Sequence, residues 1–206
     1  MTIENLEQLN DIHLDVLREV GNIGAGNAAT SLSAMLDRMV DMSTPSVKIV
    51  DINKATESLG GPENVVVGIL GKLKGDIDGL IVFMIEQNFA LAAINFLLQN
   101  RTENCTELTD IEFSVLAEIG NIMISSYISA ISALSGLEIL TSVPAVNVDM
   151  VGSLLSVPAI VMEDYSDKII YIENDFMNID ERITANMLLM PSIDSLNKIM
   201  VGLGIA

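Results

Sequence analysis

The sequence predicts an α/β fold with an internal pseudo-two-fold, a central β-sheet with two long, antiparallel-type helices packed on it. Three observations lead there. The stretch Leu17-Arg18-Glu19-Val20-Gly21-Asn22-Ile23 returns as Leu116-Ala117-Glu118-Ile119-Gly120-Asn121-Ile122, with five of seven positions identical at an offset of 99 residues. The same offset carries Pro45 onto Pro144 and Ser33 onto Ser132. In each copy a segment of helical periodicity precedes a proline-led extended run and then β-branched strands. Two copies point to a duplicated domain rather than an open repeat array. Residues 1–206 are therefore read as one domain of two homologous halves, about 11–98 and 108–203.

The elements follow in order. Residues 11–41 and 108–137 carry apolar residues at helical spacing, with Leu14, Leu17, Val20, Leu32, Met35 and Met39 in the first. Thr109 and Glu112 have the spacing of a capping box for the second helix. Prolines stop both helices, and extended runs follow over 45–51 and 144–148. Residues 65–73 and 80–85 are apolar and β-branched around Lys74-Gly75-Asp76-Ile77-Asp78-Gly79, which reads as a hairpin. A helix over 88–98 closes the first half, and 99–107 is the connector. In the second half the matching strands are 168–172 and 183–190, with a closing helix over 192–201.

Composition narrows the function. Half of the residues are apolar and 18% are charged, which excludes a disordered chain. The net charge of −18 disfavours nucleic acid and anionic lipid and favours a basic protein surface. A single cysteine, Cys105, and a single histidine, His13, can form neither an internal disulfide nor a zinc site on their own. The acidic N-terminus lacks the pattern of a secretory signal, so a cytoplasmic protein is expected. Residues 119–137 are uncharged over a span-like length, but five serines and Asn121 favour a packed helix of a soluble fold.

At 100° per residue, Asp15, Glu19 and Asn22 fall within about 60° of one another, opposite Leu17, Val20, Gly24, Ser31 and Met35. The second helix repeats this face with Ser114, Glu118 and Asn121. Small residues continue the face, Gly26 and Ser33 in one copy and Ser125 and Ser132 in the other, so a partner can approach closely. A fold-only duplication has no need to keep an exposed Glu and an exposed Asn, the latter a poor helix former. An amide is neither general base nor nucleophile, but it can hold a water in line, and a carboxylate can pair with a lysine. Such a site completes chemistry that is already poised on another protein.

Other patterns carry less. Gly24-Ala25-Gly26-Asn27-Ala28-Ala29 fits a dinucleotide fingerprint but lies inside a helix and is absent from the second copy, so close helix packing explains it. His13 is expected at the surface, and Cys105 has no histidine near it in sequence. Asp76 and Asp78 belong to a turn and lack the spacing of a calcium loop.

The pattern Asp15-x3-Glu19-x2-Asn22-x22-Pro45, repeated as Ser114-x3-Glu118-x2-Asn121-x22-Pro144, resembles the signature of the CheC/CheX/FliY family of chemotaxis phosphatases. The resemblance spans essentially the whole chain and implies a CheC-like fold. It implies dephosphorylation of the response regulator CheY, whose aspartyl phosphate and Mg2+ both belong to CheY, so that no cofactor of this chain's own is expected. Carried over by position, Glu19 and Glu118 would pair with the regulator's active-site lysine, and Asn22 and Asn121 would position the attacking water. Asp15, Ser114, Pro45 and Pro144 would support the motif. The family also implies a second partner, the receptor deamidase CheD, with Asp149, Met150 and Gly152 as its surface. The competing expectations are an acidic adaptor that docks CheD or CheY without catalysis, and a structural component of the flagellar switch.

Overall fold

The computed structural model describes residues 3–161, 168–178 and 181–205. The first half runs α1 (Asp11–Met35), β1 (Asp41–Met42), β2 (Ser46–Asp51), α2 (Ile52–Ser58), β3 (Val65–Gly75), β4 (Gly79–Ile85) and α3 (Gln87–Leu98). The second runs α4 (Asp110–Ser135), β5 (Ile139–Thr141), β6 (Ala145–Met150), α5 (Val151–Val161), β7 (Lys168–Asn178), β8 (Glu181–Pro191) and α6 (Ile193–Gly202). The short helix α2, capped by the Asp51 side chain, is the counterpart of α5.

All strands join one antiparallel sheet in the order β1-β7-β8-β4-β3-β5, with β2 also on β7 and β6 also on β3. That order is a palindrome, so the pseudo-two-fold passes between β8 and β4. Neither half closes on itself. The hairpin of the second half pairs with β2 of the first, and the hairpin of the first half pairs with β6 of the second. The registers are equivalent: Ser46, just after Pro45, lies opposite Glu173, and Ala145, just after Pro144, lies opposite Leu70.

Strand alternation sorts side chains between two cores. Val67, Ile69, Ile81, Phe83 and Ile85 face a large cluster under α1, α3, α4 and α6. Val66, Leu80, Val82 and Met84 face a smaller one with Ala55 of α2 and Leu155 of α5. The two long helices also pack on each other. A Cβ on Gly24 would lie 2.7 Å from the Tyr127 ring, so glycine is what lets α4 come this close to α1. Tyr127 in turn meets Phe83 with ring centroids 5.4 Å apart. Close packing thus accounts for the first glycine of the false fingerprint.

Three expectations are corrected. The long helices end at Met35 and Ser135, short of 41 and 137. Asp37 and Gly136 adopt left-handed backbone at φ +43° and +73°, and the Ser33 hydroxyl accepts the Val40 N–H at 2.9 Å, which turns the chain early. Ser31 is exposed rather than packed, and Met35 is half-buried. Strands β7 and β8 reach Asn178 and start at Glu181, well beyond 172 and before 183. Polar residues 173–175 hide this strand in the sequence, but Asn174 pairs with Ala185 and Phe176 with Met42.

One described helix, α4, is long and apolar enough to cross a membrane by length and composition, and 56% of its apolar window is buried inside this fold. Its N-terminus carries the expected capping box: the Glu112 carboxylate accepts the N–H of Thr109 at 2.7 Å and its hydroxyl at 2.7 Å.

Candidate functional site: two copies of a helix face

Both motif faces are turned outward. Asp15, Glu19 and Asn22 are exposed on α1, and Ser114, Glu118 and Asn121 on α4, while Leu17, Val20, Leu116 and Ile119 beneath them are buried. The position of each motif proline follows from the sheet. The Ser43 N–H donates to the Asp175 carbonyl of β7 at 2.9 Å, and the Ser142 N–H donates to the Lys72 carbonyl of β3 at 2.9 Å. These are equivalent bonds in the two halves, and each seats the loop before its proline beside its helix.

At the second copy the motif is gathered into one cleft of about 360 Å3. Ser114, Ala117, Glu118 and Asn121 of α4 form one wall, and Thr141, Ser142, Val143 and Pro144 form the other. The Lys72 N–H donates to the Ser142 hydroxyl at 3.0 Å, which pins this loop further. Val143 projects into solvent at 88% exposure. A second, open groove of about 490 Å3 runs between α1 and α4, with Asn27, Thr30 and Ser31 facing Ser125, Ser126 and Ser129. Asn121 lines both, so its amide stands where the cleft and the groove meet.

At the first copy Pro45 is buried against the helix: a Cβ on Gly21 would lie 3.4 Å from its Cγ. The Asp15 carboxylate is engaged by Arg18 one turn later in an exposed ion pair. The second copy has Ser114 and Ala117 at these positions, and the Ser114 hydroxyl donates to the Asp110 carbonyl at 2.8 Å.

Asp149, Met150 and Gly152 lie elsewhere, at the junction of β6 and α5, where α5 covers the sheet face opposite the motif helices. The Asp149 carboxylate accepts the Met150 N–H at 2.7 Å and the Ser153 hydroxyl at 2.9 Å, so it caps this turn. The Gly152 N–H donates to the Pro62 carbonyl at 3.0 Å. Met150, Val157 and Ile160 leave an exposed apolar surface there.

The remaining candidates have structural work. His13 accepts the Asn10 N–H on Nδ1 at 3.1 Å and completes the N-terminal cap of α1. Cys105 is buried in the main core, and burial pushes its thiol up. Asp76 accepts the Glu138 N–H at 2.7 Å, and Asp78 accepts the hydroxyls of Ser192 and Ser195, both at 2.8 Å. Among the described residues no three His, Cys, Asp or Glu side chains cluster as a metal ion would require. The segment 141–143, from the end of β5 into the loop, is what sequence reasoning missed; its one signal is that it abuts the motif proline.

The model of the CheC-like family matches residues 12–49 and 111–148, two spans related by the 99-residue offset of the motifs. The CheY-P phosphatase CheC of Bacillus subtilis is 30% identical over 200 residues, covering 95% of this chain and 96% of its own. Among solved structures, Thermotoga maritima FliY superposes with a TM-score of 0.74 at 20% identity, covering 96% of this chain and 98% of that one. The FliM middle domain from H. pylori gives 0.72 at 18% identity, with 94% and 99% covered.

Proposed function

Because this chain belongs to the CheC-like family, we propose that it removes the phosphoryl group from the aspartate of a phosphorylated CheY-type response regulator, using both helix faces. The observation that carries this reading is the second cleft, where Ser114, Glu118 and Asn121 of α4 and Pro144, from beyond the end of that helix, line one concavity. The exposed repeat of the same face on α1 supports it.

The chemistry asked of this chain is positioning. Glu19 or Glu118 pairs with the regulator's active-site lysine and fixes the helix against it. Asn22 or Asn121 then lies beside the phosphoryl group and holds a water in line with the scissile P–O bond. Water attacks phosphorus, the bond to the aspartyl oxygen breaks, and inorganic phosphate and a free aspartate result. The water's protons end on phosphate and solvent, so no group of this chain is modified. The low ridge beyond each Asn, half-buried Gly26 on α1 and exposed Ser125 on α4, gives the amide room to insert. Asp15, through Arg18, and Ser114, through the Asp110 carbonyl, hold the helix surface around the motif. Magnesium belongs to the regulator, so no metal of this chain's own takes part. In the same reading the protein works in the cytoplasm, and CheD docks at Asp149, Met150 and Gly152, where exposed Met150, Val157 and Ile160 offer apolar area.

The test is phosphate release from acetyl-phosphate-charged CheY with magnesium. Wild type accelerates release, and Asn22→Ala/Asn121→Ala loses that acceleration by roughly 100-fold or more, about 3 kcal/mol. Binding to the beryllofluoride-bound regulator stays within about two-fold. Wild type that adds nothing to the regulator's own decay, with CheD present or absent, rejects the enzyme and leaves a docking module.

A further inference from the structure

How the regulator is gripped, given the phosphatase reading, is written at the start of each motif helix. Ile12 is 63% exposed and Ile111 is 61% exposed, and the two are related by the same offset of 99. Each is the second residue of its helix, where polar side chains are ordinarily found. Neither is needed to seat the helix end, because Leu9 and Leu14 in one copy and Leu108 in the other already pack against the core. One exposed isoleucine would need no explanation. Two, at the same position of a duplicated motif, do.

Their direction supplies it. Seven residues separate each isoleucine from the motif Glu and ten separate it from the Asn. At helical geometry Ile12, Asp15, Glu19 and Asn22 share an arc of about 80°, and the isoleucine stands roughly 15 Å along the axis from the amide. Ile111, Ser114, Glu118 and Asn121 repeat the arrangement. Each face thus carries an apolar contact at one end and the amide at the other, with a carboxylate between. That is the layout of a docking surface with a small buried anchor and a charged contact that sets register.

We propose that Ile12 and Ile111 are the apolar anchors that hold the phosphorylated response regulator on the two faces, each covering an apolar patch of the regulator about 15 Å from its phosphoryl group. They act on affinity and take no part in the chemical step. A regulator seated this way is oriented along the helix axis, so the amide meets the phosphoryl group without a search.

The experiment compares full-length wild type, Ile12→Ser/Ile111→Ser and Ile12→Leu/Ile111→Leu. Phosphate release is measured against regulator concentration, and binding to the beryllofluoride-bound regulator is titrated alongside. The Ser pair should raise KM and weaken binding by about ten-fold or more, leave kcat within about two-fold, and leave Tm unchanged. The Leu pair should restore both values to within about two-fold of wild type. Unchanged binding in the Ser pair overturns the anchors even when wild type is an active phosphatase. An inert wild type whose binding is still weakened by the Ser pair rejects the phosphatase and retains the anchors. A changed sedimentation coefficient with unchanged binding assigns the isoleucines to self-association and overturns the proposal.

Discussion

The two motif faces share their geometry and differ in their surroundings. On α1 the motif acid Asp15 is held by Arg18, and Thr44 precedes the proline. On α4 the corresponding residues are Ser114, Ala117 and Val143, so among the described residues Glu118 is the one charged side chain lining its cleft. The support beneath differs as well. A Cβ on Gly21 would meet Pro45 and Ile172 at ordinary contact distance, whereas a Cβ on Gly120 would fall 2.3 Å from Ile69 Cγ2. Duplication has preserved what the helix and the strand register determine and has let the charge and the packing around it drift. Identical Glu and Asn residues therefore need not give equal sites.

The largest effect expected from this contrast concerns packing. Gly120→Ala must displace a β-branched side chain in the buried face of β3, costing about 1–3 kcal/mol, whereas Gly21→Ala should be neutral or slightly stabilising. Thermal unfolding of the two variants measures the difference, and equal Tm values would remove this asymmetry.

Next comes the division of labour. Single Asn121→Ala should remove more of the proposed regulator dephosphorylation than single Asn22→Ala, by a few-fold, because among the described residues the α4 cleft keeps no competing ion pair beside its Glu. Equal losses would mean that the surroundings do not matter. Smaller again is the charge itself. Arg18→Ala in an Asn121→Ala background should change turnover at the first face by about two- to three-fold, with the change fading at high salt, as an exposed pair implies.

The last contrast is between the helix ends. Glu112 accepts hydrogen bonds from Thr102, Thr109 and Asn100, and these hold its carboxyl down at about 2 against an ordinary value near 4.5. Its folded-state value is depressed, so its contribution is complete above the unfolded value and is lost as pH falls from about 4.5 toward 2. The start of α1 uses His13 and Asn10 instead. Amide exchange at the first turn of α4 should accelerate through that acid window, and Glu112→Gln should flatten the change.

Much of the site was legible. The repeat at 99 residues, the exposed Glu and Asn and the buried opposite face all follow from local helical periodicity, and the structure places these residues accordingly. The hairpin over β3 and β4 and the Thr109–Glu112 cap were equally readable, since turn and cap chemistry act over a few residues. The length of β7 was not, because Glu173, Asn174 and Asp175 are strand residues only by virtue of their partners on β8 and β2. Ser31 is exposed for a related reason: α1 packs on α4 as well as on the sheet, so its buried arc does not follow a single helical phase.

By itself, the sequence determined two amphipathic motif helices, a proline at a set distance after each, and strands enough for a sheet. Helical phase is a local property, repeated every 3.6 residues, so it can be read without knowing the neighbours. Only the tertiary structure decided that each half lends its hairpin to the other, that the loop over 141–144 closes one wall of a cleft, and that Asn121 stands between cleft and groove. Strands buried on both faces satisfy several partners equally well, and which one wins depends on long-range packing that no short window contains.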